Sequence, residues 1–245
     1  MTGGAVRVGR AVALALARAG WDVGVHYHRS EEAAGETVDR IRGTGREAAA
    51  VRADLRDPGT IPDLVERVAG ELGGLDLLVN SAAAFPRARP EEVTPGGWDD
   101  VFALNARAPF FCAVEARRRM GPDGGSVINV TDAAADRGWP AHAPYAATKA
   151  ALVSLTRSLA VAWAPEVRVN AVAPGAVLLP EAAGPEERRR AARRTALGRT
   201  GEPGDVGRAV LYLAEADFVT GEVVRVDGGE HVARRAREEG DPAGD

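Results

Sequence analysis

Tyr145 and Lys149 stand four residues apart in a stretch, Pro144–Ala164, whose apolar spacing predicts a helix. On a helix that spacing puts both side chains on one face. A phenol with an ordinary pKa near 10 is a poor proton carrier at neutral pH. An ammonium beside it stabilises the phenolate and lowers that pKa, so the pair reads as a general acid and the group that tunes it. Lys149 is also the one lysine among 31 basic residues, the others all being arginine. Either one lysine survived by chance, or this position needs a compact ammonium on a flexible stem. Tyr-x-x-x-Lys alone occurs by chance in many helices. It gains weight from Asn105 in a second helical stretch, from Asn80-Ser81-Ala82-Ala83 and from Pro174-Gly175, each of the last two following an apolar run.

The elements that would position these groups alternate along the chain. Strands are predicted at Val23–Tyr27, Ala48–Ala53, Leu75–Asn80, Ser126–Thr131, Val167–Ala173 and Val223–Val226. Helices are predicted near Gly9–Ala19, Ser30–Arg42, Ile61–Leu72, Gly97–Met120, Pro144–Ala164, Glu186–Ala196 and Pro203–Glu215. Alternation of this kind implies an α/β Rossmann-type doubly wound parallel sheet with helices on both faces. Length fits one such domain: 245 residues, 45% hydrophobic and 27% charged. Residues 1–232 read as the domain, and 233–245 as a charged, disordered tail.

A net charge of −4 gives no general attraction to nucleic acid or anionic membrane. No apolar run reaches the roughly 18 residues of a membrane span. One cysteine, Cys112, allows no internal disulfide and no metal cluster, so no metal is expected and Cys112 reads as core. A soluble, cytoplasmic setting is the default. The densest charge run, Glu186–Arg194, reads as a solvated helix face rather than a phosphate site. His142 reads as a rim or surface residue, and His231 has no partner visible in sequence.

The chain opens Thr2-Gly3-Gly4-Ala5-Val6-Arg7-Val8-Gly9 before an apolar helix. Glycines there let the backbone approach a pyrophosphate, and the helix N-terminus supplies N–H groups and a favourable dipole. About 20 residues on, NAD binders carry an acid for the ribose 2′-hydroxyl. This chain instead has His28-Arg29-Ser30. Arg29 can fork onto a 2′-phosphate and Ser30 can donate to it, so the expected cofactor is NADPH. Asp54, with Leu55 after it, closes the next strand; it is placed to touch adenine, or it forms a turn.

Taken together these motifs resemble the short-chain dehydrogenase/reductase family, from the first residue to about Val232. The resemblance implies Tyr145 as general acid, Lys149 on the nicotinamide ribose, Asn105 continuing a proton relay through water, and cofactor contacts from Asn80, Ser81, Ala82, Pro174 and Gly175. It also implies a seven-stranded sheet and a homotetramer. The family's usual serine, 13 residues before the tyrosine, is Asp132 here. A carboxylate opposes an alkoxide but suits a nitrogen heterocycle carrying N–H donors. That departure resembles the pteridine reductase branch. So do Arg7 in place of a fingerprint glycine, the His28-Arg29-Ser30 segment, and Phe85 where that branch stacks its pterin. Arg7 would contact the cofactor phosphates or the pterin edge. Ala83, where that branch often has serine, departs from it. The implied reaction is hydride transfer from NADPH to a C=N bond of a dihydropterin or dihydrofolate. The alternatives are an ordinary ketone or ketoacyl reductase of the same fold and a non-catalytic nucleotide-binding module.

One family feature has no counterpart. An apolar strand normally runs into the Thr-Gly pair, whereas Met1 directly precedes Thr2. The expectation is a vacant strand position at the centre of the sheet: either the true start lies upstream of Met1, the favoured reading, or the protein compensates for the missing strand.

Overall fold

The computed structural model describes residues 1–135, 137–177, 179 and 183–233. The predicted tail therefore lies, from residue 234, outside the described residues. In chain order the elements are α1 (Arg7–Arg18), β1 (Val23–Tyr27), α2 (Glu31–Arg42), β2 (Ala48–Arg52), α3 (Ile61–Leu72), β3 (Leu77–Asn80), α4 (Pro95–Phe102), α5 (Ala108–Arg119), β4 (Gly125–Val130), α6 (Ala143–Trp163), β5 (Val167–Pro174), α7 (Pro185–Arg193), α8 (Pro203–Glu215) and β6 (Val223–Val226).

All strand pairs are parallel, β1 with β2 in one group and β3-β4-β5-β6 in the other. The strands are runs of Val, Ile, Leu and Ala because both of their faces are covered. Side chains alternate across the sheet. Val127 of β4 joins Val51, Ile61 and Leu64 on one side, while its neighbour Ile128 joins Val12, Val25 and Leu213 on the other. Helices α1, α2 and α8 cover that second side; α3, α5 and α6 cover the first.

Between β1 and β3 lie residues 1–4. His26 donates its N–H to the Met1 carbonyl and Gly4 donates to the His26 carbonyl, at 3.0 and 3.1 Å. On the other side Thr2 donates to the Val79 carbonyl at 2.9 Å and forms a parallel bridge with Asn80. The spatial order is thus β2, β1, the Thr2 bridge, β3, β4, β5, β6. Six strands and one bridge stand where the resemblance implied seven strands, and no described strand fills the central position. Strand order reverses at the bridge, so the switch-point crevice at the carboxyl ends of an open α/β sheet falls beside Gly3.

One predicted helix is divided. The stretch expected as Gly97–Met120 forms α4 and α5, joined by a π turn over Ala103–Arg107. Pro109 accounts for the break: it has no N–H to give the Asn105 carbonyl, and its ring would press on that carbonyl in a regular helix. The backbone widens instead, and the Ala108 N–H reaches the Ala103 carbonyl five residues back. Asn105 sits in this turn, fully buried.

Candidate active site

The loops at the carboxyl ends of the strands enclose one cleft of about 3530 Å³. A drug-sized ligand occupies a pocket of about 300–1,000 Å³, so this cleft has room for a dinucleotide and a second molecule. Most residues singled out in the sequence line it. Gly3, Arg7, Val8 and Gly9 come from the first loop and His28, Arg29 and Ser30 from the end of β1. Asp54 and Leu55 follow β2, and Ser81, Ala82 and Phe85 follow β3. Asp132, Tyr145 and Lys149, with Pro174 and Gly175, complete the wall.

Three expected site residues are turned inward instead. Thr2 is buried, and its hydroxyl accepts the N–H groups of Ser81 and Ala82 at 3.0 and 3.2 Å. Asn80 is buried, its amide donating to the Asn129 side chain and the Pro109 carbonyl. Asn105 accepts the Ala84 N–H at 2.8 Å and donates to the Ala84 carbonyl and the Thr148 hydroxyl, at 2.9 and 3.3 Å. Both amide protons of Asn105 are therefore committed. Its side chain locks the Phe85 loop to α6.

The first loop is shaped for close approach. A Cβ at Gly9 would lie 2.0 Å from the Gly3 carbonyl oxygen, and one at Gly3 would lie 2.9 Å from the Ala82 Cα. Gly3 has φ +61°, and Arg7 has φ +53°, the left-handed region where the family's fingerprint uses glycine. A non-glycine residue there costs about 1–2 kcal/mol, so the loop holds Arg7 against its own preference. His26, not foreseen as part of the site, ties this loop down. Its Nδ1 accepts the Gly3 N–H and its Nε2 donates to the Ala53 carbonyl, both at 3.1 Å. Burial pushes its pKa down to about 4, so the ring is neutral and its tautomer is fixed by these two bonds. The tight turn that these glycines permit, bordering the cleft at the start of α1, fits a pyrophosphate. Gly9→Ala is expected to displace the Gly3 carbonyl and raise the KM for NADPH at least tenfold; an unchanged KM would remove this loop from cofactor binding.

At the far end of this groove Arg29 is exposed, with no ion-pair partner among the described residues. Ser30 caps α2 without spending its hydroxyl on the helix. Asp54 accepts the Arg56 N–H at 3.1 Å and lies 3.7 Å from the His28 ring, so it is a turn former that also faces the cleft.

Tyr145 and Lys149 lie one turn apart on α6, buried to 7% and 3% exposure. The Tyr145 hydroxyl donates to Asp132 Oδ2 at 2.8 Å, while Asp132 Oδ1 accepts the Ala134 N–H at 2.7 Å. Lys149 Nζ donates to the Val130 carbonyl at 2.8 Å and lies 5.6 Å from the centre of the Tyr145 ring. The net shift of the Tyr145 pKa is upward, set by groups other than Lys149. Burial first, then the charge of Asp132 and its hydrogen bond, push Tyr145 above the usual phenol range. The phenol thus keeps its proton, held toward Asp132. Burial also pulls Lys149 down to about 8, against the opposing pull of Asp132.

An aromatic wall stands over this group. Phe85 stacks on His142, with centroids 4.0 Å apart and planes 7° apart, and meets the Tyr145 ring edge-on at 4.6 Å. Trp139 leans on both Phe85 and His142. His142 therefore borders the cleft, as a rim residue would, but is not a surface residue. It is buried, anchored by Nδ1 to the Pro86 carbonyl at 2.8 Å, and backs the half-exposed Phe85. His231 also has a partner, Asp227, at 2.7 Å. Cys112 is core, with burial pushing its thiol up to about 12.

With this fold and this cleft, the chain belongs to the short-chain dehydrogenase/reductase family. The enoyl-(acyl carrier protein) reductase family profile matches residues 4–231. A versicolorin reductase of Emericella nidulans is 33% identical over 246 residues, covering 94% of this chain and 93% of its own. A 3-oxoacyl-[acyl-carrier-protein] reductase of Staphylococcus aureus is 32% identical, over 94% of this chain and 96% of its own. Among solved structures, a short-chain dehydrogenase from Burkholderia cenocepacia in complex with NADP superimposes with a TM-score of 0.88 at 34% identity, covering 94% of this chain and 95% of its own.

Proposed function

We propose that this chain is an NADPH-dependent reductase that reduces a C=N bond in a flat nitrogen heterocycle of the dihydropterin or dihydrofolate type. The observation that carries the reading is the 2.8 Å contact between the Tyr145 hydroxyl and the Asp132 carboxylate, beside the half-exposed ring of Phe85. The Gly3 loop would hold the pyrophosphate of NADPH and Arg29 and Ser30 its 2′-phosphate, and the bound cofactor would supply the hydride. The chain's own residues do the rest. Phe85, braced by His142, offers a face on which a planar ring stacks. Asp132 presents carboxylate oxygens to ring N–H groups, which a ketone lacks. Tyr145 gives its proton to the reduced nitrogen, and Lys149 compensates the charge that develops on the phenol oxygen. Asn105 and Thr148 hold the Phe85 loop against α6.

The ketone-reducing reading draws support from the relatives, whose names include a 3-oxoacyl reductase. Side-by-side NADPH oxidation with dihydrobiopterin, dihydrofolate and a simple ketone tests the two. Selective turnover of the pterins supports the proposal, and turnover of the ketone alone overturns it. NADPH binding without turnover of any of the three would favour a non-catalytic nucleotide-binding module.

Lys149 sets the alkaline limit. The pH profile of kcat/KM reports the free enzyme, so activity is expected to fall as pH rises through about 8, where the ammonium is lost. Asp132 raises the pKa of Lys149, so Asp132→Asn should move that fall to lower pH. A limb unmoved by the substitution would uncouple the two groups. Assembly as a homotetramer belongs to the same reading. Val161, Tyr212 and Phe218 expose apolar surface that self-association would cover. No described helix is long and apolar enough to cross a membrane.

A further inference from the structure

The charge run of α7 does not face solvent alone: Arg189, Arg190, Arg193 and Arg194 line the same cleft as Tyr145, together with Arg137. These five guanidinium groups meet three carboxylates, and the pairing is uneven. Glu230, almost fully buried at 5% side-chain exposure, takes Arg137 at 3.1 Å and Arg194 at 3.3 Å. Arg190 lies 3.8 Å from Glu186. Arg189 and Arg193 have no partner among the described residues, although Glu187 lies on the same helix and also lines the cleft.

They are four residues apart, so both project from one face of α7, where like charges repel and disfavour the helix. An anion held between them removes that repulsion and receives two forked donors suited to carboxylate or phosphate. Glu230 meanwhile fixes Arg137 and Arg194 and Glu186 takes Arg190, which leaves Arg189 and Arg193 as the open pair of the cleft wall. We infer that Arg189 and Arg193 form an anion subsite, and that the substrate carries a carboxylate arm which docks there while its ring lies against Phe85. This rests on the proposed reading for the identity of the ring, not for the arm. Under that reading the preferred substrate is a conjugated pterin with a glutamate tail rather than a free pterin.

The test compares dihydrofolate, which has such a tail, with dihydrobiopterin, which does not, in the unaltered enzyme and in Arg189→Gln/Arg193→Gln. The unaltered enzyme is expected to favour dihydrofolate, with a preference that weakens as salt rises. The double variant should raise the KM for dihydrofolate roughly tenfold or more with kcat kept, and leave dihydrobiopterin and the KM for NADPH unmoved. A raised KM for NADPH would assign the arginines to the cofactor and overturn the subsite. Equal losses on both pterins, or no preference for the tail, would overturn it while the pterin reading stood. If neither pterin is turned over, that reading fails and calorimetry decides the arm. Folate binding to the NADP-loaded enzyme must then exceed biopterin binding and fall in the variant, and its failure to do so overturns the subsite as well.

Discussion

Tyr145→Phe is expected to lower kcat by about 10²–10⁴-fold, the usual contribution of a positioned general acid, while the fold and the affinity for NADPH persist. The phenyl ring keeps its edge-on contact with Phe85 and its burial on α6. Only the hydroxyl goes, and with it the donor to Asp132 Oδ2. That oxygen borders the cleft, where water can replace the lost donor, so the stability cost should stay near 1 kcal/mol. Three measurements separate chemistry from structure: turnover at saturating NADPH, cofactor binding by fluorescence, and the unfolding midpoint. A variant that binds cofactor, melts normally and turns over at the original rate would remove Tyr145 from the reaction. Because Asp132 and burial hold the phenol protonated, the rate of the unaltered enzyme should show no alkaline limb from Tyr145 itself. The limb near pH 8 belongs to Lys149.

The architecture was legible because its signals are local. Strands covered on both faces read as short runs of Val, Ile and Ala, and all six appear within two residues of their predicted ends. Tyr145 and Lys149 were legible because a spacing of four has one meaning on a helix. Side-chain direction was not. Thr2, Asn80 and Asn105 stand beside the right loops, yet each turns its side chain inward to hold one element to another. A motif gives the residue type at such a place but not which way it turns. The division of α4 from α5 had its signal in Pro109, which lay inside an otherwise continuous helical pattern. For the arginines of α7 the sequence could show only a dense charge run. Their place on the cleft wall depends on where α7 lies relative to α6, a tertiary fact that no local pattern records.

Asp132→Ser is expected to exchange one substrate class for another. The carboxylate only accepts hydrogen bonds, and it already takes one from Tyr145 and one from the Ala134 N–H. A ring nitrogen bearing hydrogen gains from it; a ketone oxygen meets a negative charge that opposes the alkoxide it must become. Serine inverts this, since its hydroxyl can donate to a carbonyl oxygen. Hydrogen bonds to charged groups contribute about 1.5–3 kcal/mol, so kcat/KM for a pterin should fall about tenfold to 10²-fold while turnover of a simple ketone rises. The substitution also removes the charge that holds the Tyr145 pKa up, so the phenol should ionise more easily in the variant, a change readable in ultraviolet difference spectra. A parallel loss on both substrates would make Asp132 a support for Tyr145 rather than a selector. Loss on the pterin alone, with the spectral shift, would show that one carboxylate sets both the proton on Tyr145 and the kind of double bond this cleft reduces.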